Sequence, residues 1–168
     1  MGVQNNMKKT KAIEIGKLVI SIGICQMAGV IGSVFTTPSI PTWYATLKKP
    51  SFTPPGWLIG SVWITLFFLM GISAFLVWRK GLNNRQIKIA LTVFAVQLIL
   101  NALWLVAFFG FQSPLAGLVV ISVLWIAILL TIIKFLKVSR PAGLLLLPYI
   151  LWVSFATLLN TSIFAINL

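Results

Sequence analysis

Five long apolar blocks divide the chain, and short polar or charged segments separate them. Each block has about twenty residues, the length that an α-helix needs to cross the hydrocarbon core of a bilayer. The blocks run from Leu18 to Phe35, Trp57 to Trp78, Ile87 to Phe109, Leu115 to Ile133 and Ala142 to Ile166. Because hydrocarbon offers no water to backbone amides, each block is predicted to be a helix and not a strand of an open sheet. The pattern predicts an all-α integral membrane protein with five transmembrane helices in a compact bundle.

The segments around the apolar blocks complete the predicted organisation. Residues 1–17 form a basic N-terminal tail, residues 18–168 form the transmembrane domain, and residues 36–56 form a long first loop. Ser113 and Pro114 predict an N-cap and a first helical residue for the fourth span. Pro148 has no backbone donor, so it is predicted to kink the fifth span.

Composition supports a membrane protein, because 60% of the residues are hydrophobic and only 8% are charged. Soluble proteins carry about 25% charged residues. The net charge of +12 comes from basic residues that lie between the apolar blocks, where they flank a membrane and do not form a face for nucleic acid. We therefore expect membrane lipid as a partner and no nucleic acid. The single cysteine, Cys25, can form no disulfide within the chain.

The distribution of basic residues predicts the orientation. Eleven of the thirteen lie in the N-terminal tail and around the second and fourth loops, which share one side of the membrane if there are five spans. The first loop holds the other two, Lys48 and Lys49. Positive residues are enriched in cytoplasmic segments. The N-terminus is therefore predicted to be cytoplasmic, and the first loop and the C-terminus are predicted to lie on the opposite side.

Several classes of catalytic and metal site are excluded by what the sequence lacks. Glu14 is the only acidic residue, and there is no histidine. Paired carboxylates, a histidine base, a Ser/His/Asp triad and a conventional metal cluster are therefore impossible within one chain. Proton-coupled transport usually relies on buried acids or histidines. No catalytic residue and no metal ligand is predicted, which leaves binding, passage of a neutral or amphipathic ligand, or chemistry performed by the ligand itself.

Aromatic and carboxamide side chains recur at helical spacing on three of the blocks, so each block presents one aromatic face. The stripes are Trp63, Phe67, Gly71, Ala74 and Trp78; Gln97, Asn101, Trp104 and Phe108; and Tyr149, Trp152, Ala156 and Asn160. Two interpretations remain open. Amides and tryptophans in transmembrane helices often serve only helix packing or the interfacial belt, or the three faces line a pocket. Periodicity alone does not decide between them.

Small residues form a further stripe on the first block. The stripe consists of Ser21, Cys25, Ala28 and Gly32, and Gly56 and Gly60 open the second block. Small residues four positions apart let two helices approach closely. The partner is either another helix of the same chain or a second protomer, and we favour a homodimer.

The first loop has the composition of a lid. Pro41 can start a short helix, and Pro50 should end it. Trp43, Tyr44 and Leu47 then share one apolar face, while two lysines follow at the helix C-terminus, where cations are favoured. Since a disordered linker would be poor in aromatic residues, the loop is predicted to be an amphipathic cover over the bundle.

These residues together resemble a known family, the translocator proteins, also called tryptophan-rich sensory proteins or peripheral-type benzodiazepine receptors. The matching elements are WYATLKKPSFTPPGW at residues 43–57, Trp63, NALWLVAFF at 101–109 and PYILWVSFATLLN at 148–160. They extend from the first loop to Asn160, in the family's order. The resemblance implies a five-helix bundle around a pocket that the first loop closes, commonly as a homodimer.

The resemblance also implies a ligand and its contacts. Family members bind porphyrins such as protoporphyrin, and benzodiazepine-like drugs, so a porphyrin-like tetrapyrrole is the candidate ligand and no intrinsic cofactor is expected. The residues that match the family's ligand contacts are Tyr44, Pro54, Trp63, Asn101, Trp104, Trp152 and Ala156. Five of these seven also belong to the aromatic stripes.

Three functions are compatible with these features. The first is a multi-pass membrane receptor or sensor that binds tetrapyrroles and hydrophobic drug-like molecules in a Trp-rich pocket. The second is light-dependent oxidative degradation of a bound porphyrin, which some relatives are reported to promote. The third is facilitated transport of porphyrin or lipid-like ligands. The Tyr-to-basic pattern proposed for sterol recognition is missing from the end of the fifth span.

Overall fold

The computed structural model describes residues 2–168, without the side chains of residues 2–6, 8 and 9. All regular structure in this part of the chain is helical. The helices are α1 (Gly2–Ser39), α2 (Trp43–Thr46), α3 (Gly56–Trp78), α4 (Arg85–Leu105), α5 (Pro114–Val138), α6 (Arg140–Leu144) and α7 (Leu147–Ile166), and a π-helical turn (Val106–Gly110) extends α4. Five helical segments are long and apolar enough to cross a membrane. The predicted all-α, five-span fold is confirmed.

The long helices alternate in direction, so the bundle has two distinct ends. The loop end carries the loop at 40–55, the turn at 111–113 and the last residues of the chain. The basic end carries the start of α1 and the turn at 79–84. Helix α1 packs against α3 and α4, α4 packs against α5, and α5 packs against α7. The assignment of the basic end to the cytoplasm stays a prediction.

The first helix begins well before its apolar block. The segment called a basic tail continues the helix of the first span, because it contains no proline and is rich in lysine and other good helix formers. The carboxylate of Glu14 lies 3.0 Å from Nε of Arg79 and 3.5 Å from Nζ of Lys17. The pair with Arg79 joins α1 to the end of α3. Because these groups are partly exposed, their contribution to stability is about 1 kcal/mol or less.

The fourth span starts as the sequence predicts. The hydroxyl of Ser113 accepts a hydrogen bond from the amide of Ala116 at 3.2 Å, and Pro114 is the first helical residue. The helix continues beyond the predicted end of the span to Val138. A helix does not have to end where its apolar run ends, because lysine side chains can extend along the helix to reach polar surroundings.

Pro148 marks a break in the fifth span and not the kink of one continuous helix. Helix α6 ends at Leu144, and α7 begins at Leu147 with Pro148 in its first turn, where a missing backbone donor is harmless. The break frees the carbonyl of Ala142 from its usual partner. The hydroxyl of Ser73 on α3 donates to that carbonyl at 2.7 Å, so the buried acceptor is satisfied from a neighbouring helix.

The helix predicted between Pro41 and Pro50 is reduced to the single turn of α2. Leu47 already has an extended backbone, and Thr46 returns its hydroxyl to the carbonyl of Trp43 at 2.7 Å. A helix this short forms too few internal hydrogen bonds to offset the conformational entropy that is lost when its backbone dihedral angles are fixed. Its position therefore depends on contacts with the bundle below it.

The small-residue stripe on α1 packs within the chain. All four of its residues are buried, and a Cβ at Gly32 would collide with the side chain of Leu105 on α4. A Cβ at Gly71 on α3 would lie 2.6 Å from the backbone of Ile22, so α1 and α3 touch at this glycine. The stripe therefore serves the fold of one protomer. The homodimer stays a prediction, and it would have to use other surfaces.

A buried polar cluster joins α4 to α7 in the middle of the bundle. The hydroxyl of Tyr149 donates to Oε1 of Gln97 at 2.9 Å and accepts from Nδ2 of Asn101 at 2.8 Å. All three residues are at most 1% exposed. Because hydrocarbon provides no alternative partner, these two bonds fix how the helices face each other. One hydroxyl thus bonds to one polar atom of each carboxamide, while Nε2 of Gln97 and Oδ1 of Asn101 are buried and make no hydrogen bond within the described part of the chain.

We expect Tyr149→Phe to lower the free energy of unfolding by about 1–2 kcal/mol, because both carboxamides lose a buried partner. Denaturant unfolding in detergent micelles measures this change. Tyr44→Phe is the matched control, since it removes the chain's other phenol hydroxyl from the loop. Equal free energies of unfolding for the two variants would show that the polar cluster does not make this contribution to stability.

Candidate functional site

A cavity of about 670 Å³ lies at the loop end, between α1, α3, α4 and α7 and beneath the first loop. Its volume is in the range of small-molecule sites. Six of the seven residues predicted to contact a ligand line it: Tyr44, Pro54, Trp63, Trp104, Trp152 and Ala156. The seventh, Asn101, does not. Residues that are far apart in the sequence therefore converge on one space.

Indole rings form one wall of this cavity. The ring centroids of Trp63 and Trp104 are 5.8 Å apart, with an angle of 34° between the planes. Trp63 also lies 5.6 Å from Phe67, and Trp152 lies 5.5 Å from Phe155. The helical stripes place these rings side by side. The wall offers flat, polarizable surface and little charge, which suits stacking with an apolar aromatic ligand.

Asn160 fixes one of these indoles. Its Oδ1 accepts a hydrogen bond from Nε1 of Trp104 at 3.4 Å, and its Nδ2 donates to the carbonyl of Pro114 at 2.8 Å. Asn160 also lines the cavity, although it was not among the residues matched to the family's ligand contacts. Its place in the stripe on the fifth span, one turn beyond Ala156, was the sequence feature that could have identified it.

Asn101 lies behind the cavity wall. Its amide belongs to the cluster with Tyr149, and the ring of Tyr149 meets Trp63 edge to face at a centroid distance of 6.3 Å. Asn101 therefore reaches the cavity only through two intervening rings. The sequence left open whether Asn101 serves helix packing or lines a pocket. The contacts of Asn101 with Tyr149 favour helix packing.

The loop covers the cavity through aromatic contacts with the π-helical turn. Trp43 packs edge to face on Phe108 at 5.4 Å, and Tyr44 packs on Phe109 at 5.6 Å. A π-turn adds one residue to the helical repeat, and such turns are frequent at functional sites. Burial raises the pKa of the Tyr44 phenol, so this ring remains neutral at physiological pH.

A side chain at the end of α7 holds the loop in place. The amide group of Asn167 accepts a hydrogen bond from the Lys48 backbone N–H at 3.0 Å and donates to the Lys48 carbonyl at 2.9 Å. Just before the loop, the hydroxyl of Ser39, the last residue of α1, donates to the carbonyl of Phe109 in the π-helical turn at 2.9 Å. The sequence does not reveal the role of Asn167, because Asn167 and Lys48 are 119 positions apart and no sequence spacing relates them.

We expect Asn167→Ala to accelerate amide hydrogen exchange in the loop at 40–55 by roughly 5- to 30-fold. The change removes the two hydrogen bonds from Asn167 to the loop, worth about 1–2 kcal/mol together. Exchange measured by mass spectrometry in nanodiscs tests this expectation. Thr161→Ala is the control, because the hydroxyl of Thr161 bonds only to its own helix. Unchanged exchange in the loop would show that the bundle holds the cover without Asn167.

Comparison with known proteins identifies the family of the chain. The sequence model of the TspO/MBR family matches residues 21–166. A protein named "Tryptophan-rich protein TspO" from Chlorobaculum tepidum is 47% identical over 92% of this chain and 98% of its own length. The "Tryptophan-rich sensory protein" of Cereibacter sphaeroides is 34% identical over 74% and 77%, and the human "Translocator protein" is 36% identical over 82% of each chain. The chain belongs to the TspO/MBR family of multi-pass membrane proteins.

Proposed function

We propose that this protein is a membrane receptor or sensor that binds porphyrin-like tetrapyrroles, and drug-like molecules of similar shape, in the cavity at the loop end. The observation that carries the proposal is the wall of indoles in a covered space of about 670 Å³. A flat macrocycle gains dispersion and stacking energy against such a wall. Relatives with the names "sensory protein" and "translocator protein" support a role in recognising or moving a ligand.

The cavity recognises shape more than charge. Most of its lining is aliphatic or aromatic, and the carboxamide of Asn160 is already engaged with Trp104 and Pro114. The Nε1 atom of Trp152 is buried and makes no hydrogen bond within the described part of the chain. Such a site suits a large apolar ring with few polar groups.

We expect Trp63→Leu and Trp152→Leu each to weaken binding of protoporphyrin about tenfold, because each variant loses an aromatic face of the cavity. Titration of the purified protein, followed by the porphyrin absorption band, avoids dependence on tryptophan fluorescence. Trp57→Leu is the matched control, since Trp57 is 73% exposed and does not line the cavity. Absence of saturable binding, or an equal loss in the control, would argue against the proposal.

A second candidate function is light-dependent oxidation of the bound porphyrin. The observation that favours it is the direct exposure of oxidisable indoles to the cavity, with Trp63 and Trp104 in ring contact. An excited porphyrin supplies the reactive state itself, so the protein would have to provide position and exclusion of water.

Illumination of the porphyrin complex in the presence of oxygen should then convert the porphyrin into a product that free porphyrin does not form. Absorption spectra recorded during illumination measure the conversion, with Trp57→Leu as the reference variant. Identical spectral changes for free and bound porphyrin would rule out this activity and would leave the binding function intact.

A further inference from the structure

One charged side chain, that of Lys49, lines the otherwise uncharged cavity, counting all the residues that the structure describes around it. Lys49 is half-buried, whereas the neighbouring Lys48 is exposed. Two adjacent lysines of the same loop therefore have different surroundings. Lys48 faces outward, and Lys49 faces the space proposed for the ligand.

The position of Lys49 is fixed from both sides along the chain. Both polar backbone groups of Lys48 are bonded to Asn167. The residue that follows Lys49 is Pro50, which restricts the backbone of Lys49 to extended conformations. The side chain is also held, because Nζ lies 4.6 Å from the centroid of the Tyr44 ring, a distance typical of a cation–π contact.

The ammonium group of Lys49 has no acidic side chain near it. The only carboxylate side chain of the chain is that of Glu14, which is paired with Arg79 and Lys17 at the basic end. At 1.5 Å per residue, Glu14 and the loop end of α1 at Ser39 are about 38 Å apart along the helix axis. Tyr44 stays neutral, as described above. A positive charge thus sits at the mouth of an apolar cavity without a counter-ion from an acidic side chain.

We propose that Lys49 is a specificity-determining residue that recognises a carboxylate on the ligand. This inference rests on the proposed function and names its ligand class, which is an amphipathic anion. The flat apolar body of the ligand lies against the indoles, and its acidic group lies at the loop end beside the ammonium of Lys49. A charge-assisted hydrogen bond in this half-buried position is stronger than one between neutral groups. The cavity therefore discriminates between an acid and its neutral ester of nearly the same shape.

The test compares protoporphyrin, a dicarboxylic acid, with its dimethyl ester in the full-length protein. We expect the wild-type protein to bind the acid about tenfold more tightly than the ester at low salt, as one hydrogen bond to a charged group would produce. Lys49→Gln should abolish this preference by weakening binding of the acid alone. Lys49→Arg should keep the preference. Lys48→Gln, which removes the same charge one position away, should also keep it and is the matched control.

The outcomes separate this inference from the function on which it rests. Equal affinity of the wild-type protein for acid and ester, or an unchanged preference in Lys49→Gln, would overturn the role of Lys49 and leave porphyrin binding established. Failure of both porphyrins to bind saturably would overturn both proposals. If Lys49→Gln does not fold, the wild-type preference is measured in increasing salt. A preference that falls with salt supports a charge contact, and one that does not fall overturns it.

Discussion

A buried polar group in a bilayer must find its partner inside the protein, and this constraint organises the bundle. The hydroxyl of Tyr149 bonds to two carboxamides of α4 at once, accepting from Asn101 and donating to Gln97. Ser73 satisfies a carbonyl that the break before Pro148 sets free. Each of these bonds joins helices that are distant in the sequence. A small number of buried polar contacts therefore helps to fix the mutual orientation of helices whose surfaces are mostly apolar.

The same constraint determines the character of the cavity. Asn101 is used within the bundle, and Asn160 is used to orient Trp104. What remains at the surface of the cavity is mainly aliphatic and aromatic side chains, the three indoles among them. Such a surface binds through shape and dispersion, and it discriminates poorly between ligands of similar outline. Chemical selectivity must then come from the few polar groups at the edge, of which Lys49 carries a charge.

The sequence was sufficient for features that depend on local pattern. Apolar length gave the five spans, and helical spacing brought Trp63, Trp104 and Trp152 to one space. Features that depend on distant contacts could not be derived in this way. The tie between Asn167 and Lys48 has no sequence pattern, and the π-helical turn after Leu105 preserves the apolar run while changing the direction of Phe109. The break before Pro148 likewise depends on a distant partner, because the hydroxyl of Ser73 on α3 satisfies the carbonyl of Ala142 that the break frees.

The cover and the bundle are held by different kinds of interaction, and this difference bears on ligand exchange. The bundle depends on buried contacts in an apolar solvent, whereas the cover depends on a single turn of helix, a few ring contacts and the bonds of Asn167. The bonds of Asn167 to the loop are exposed, so water can replace them at a cost of about 1–2 kcal/mol for the two together. The loop can therefore open while the helices stay packed. Because Lys49 follows directly after the residue that Asn167 holds, opening the loop removes the charge from the cavity mouth in the same movement that uncovers it.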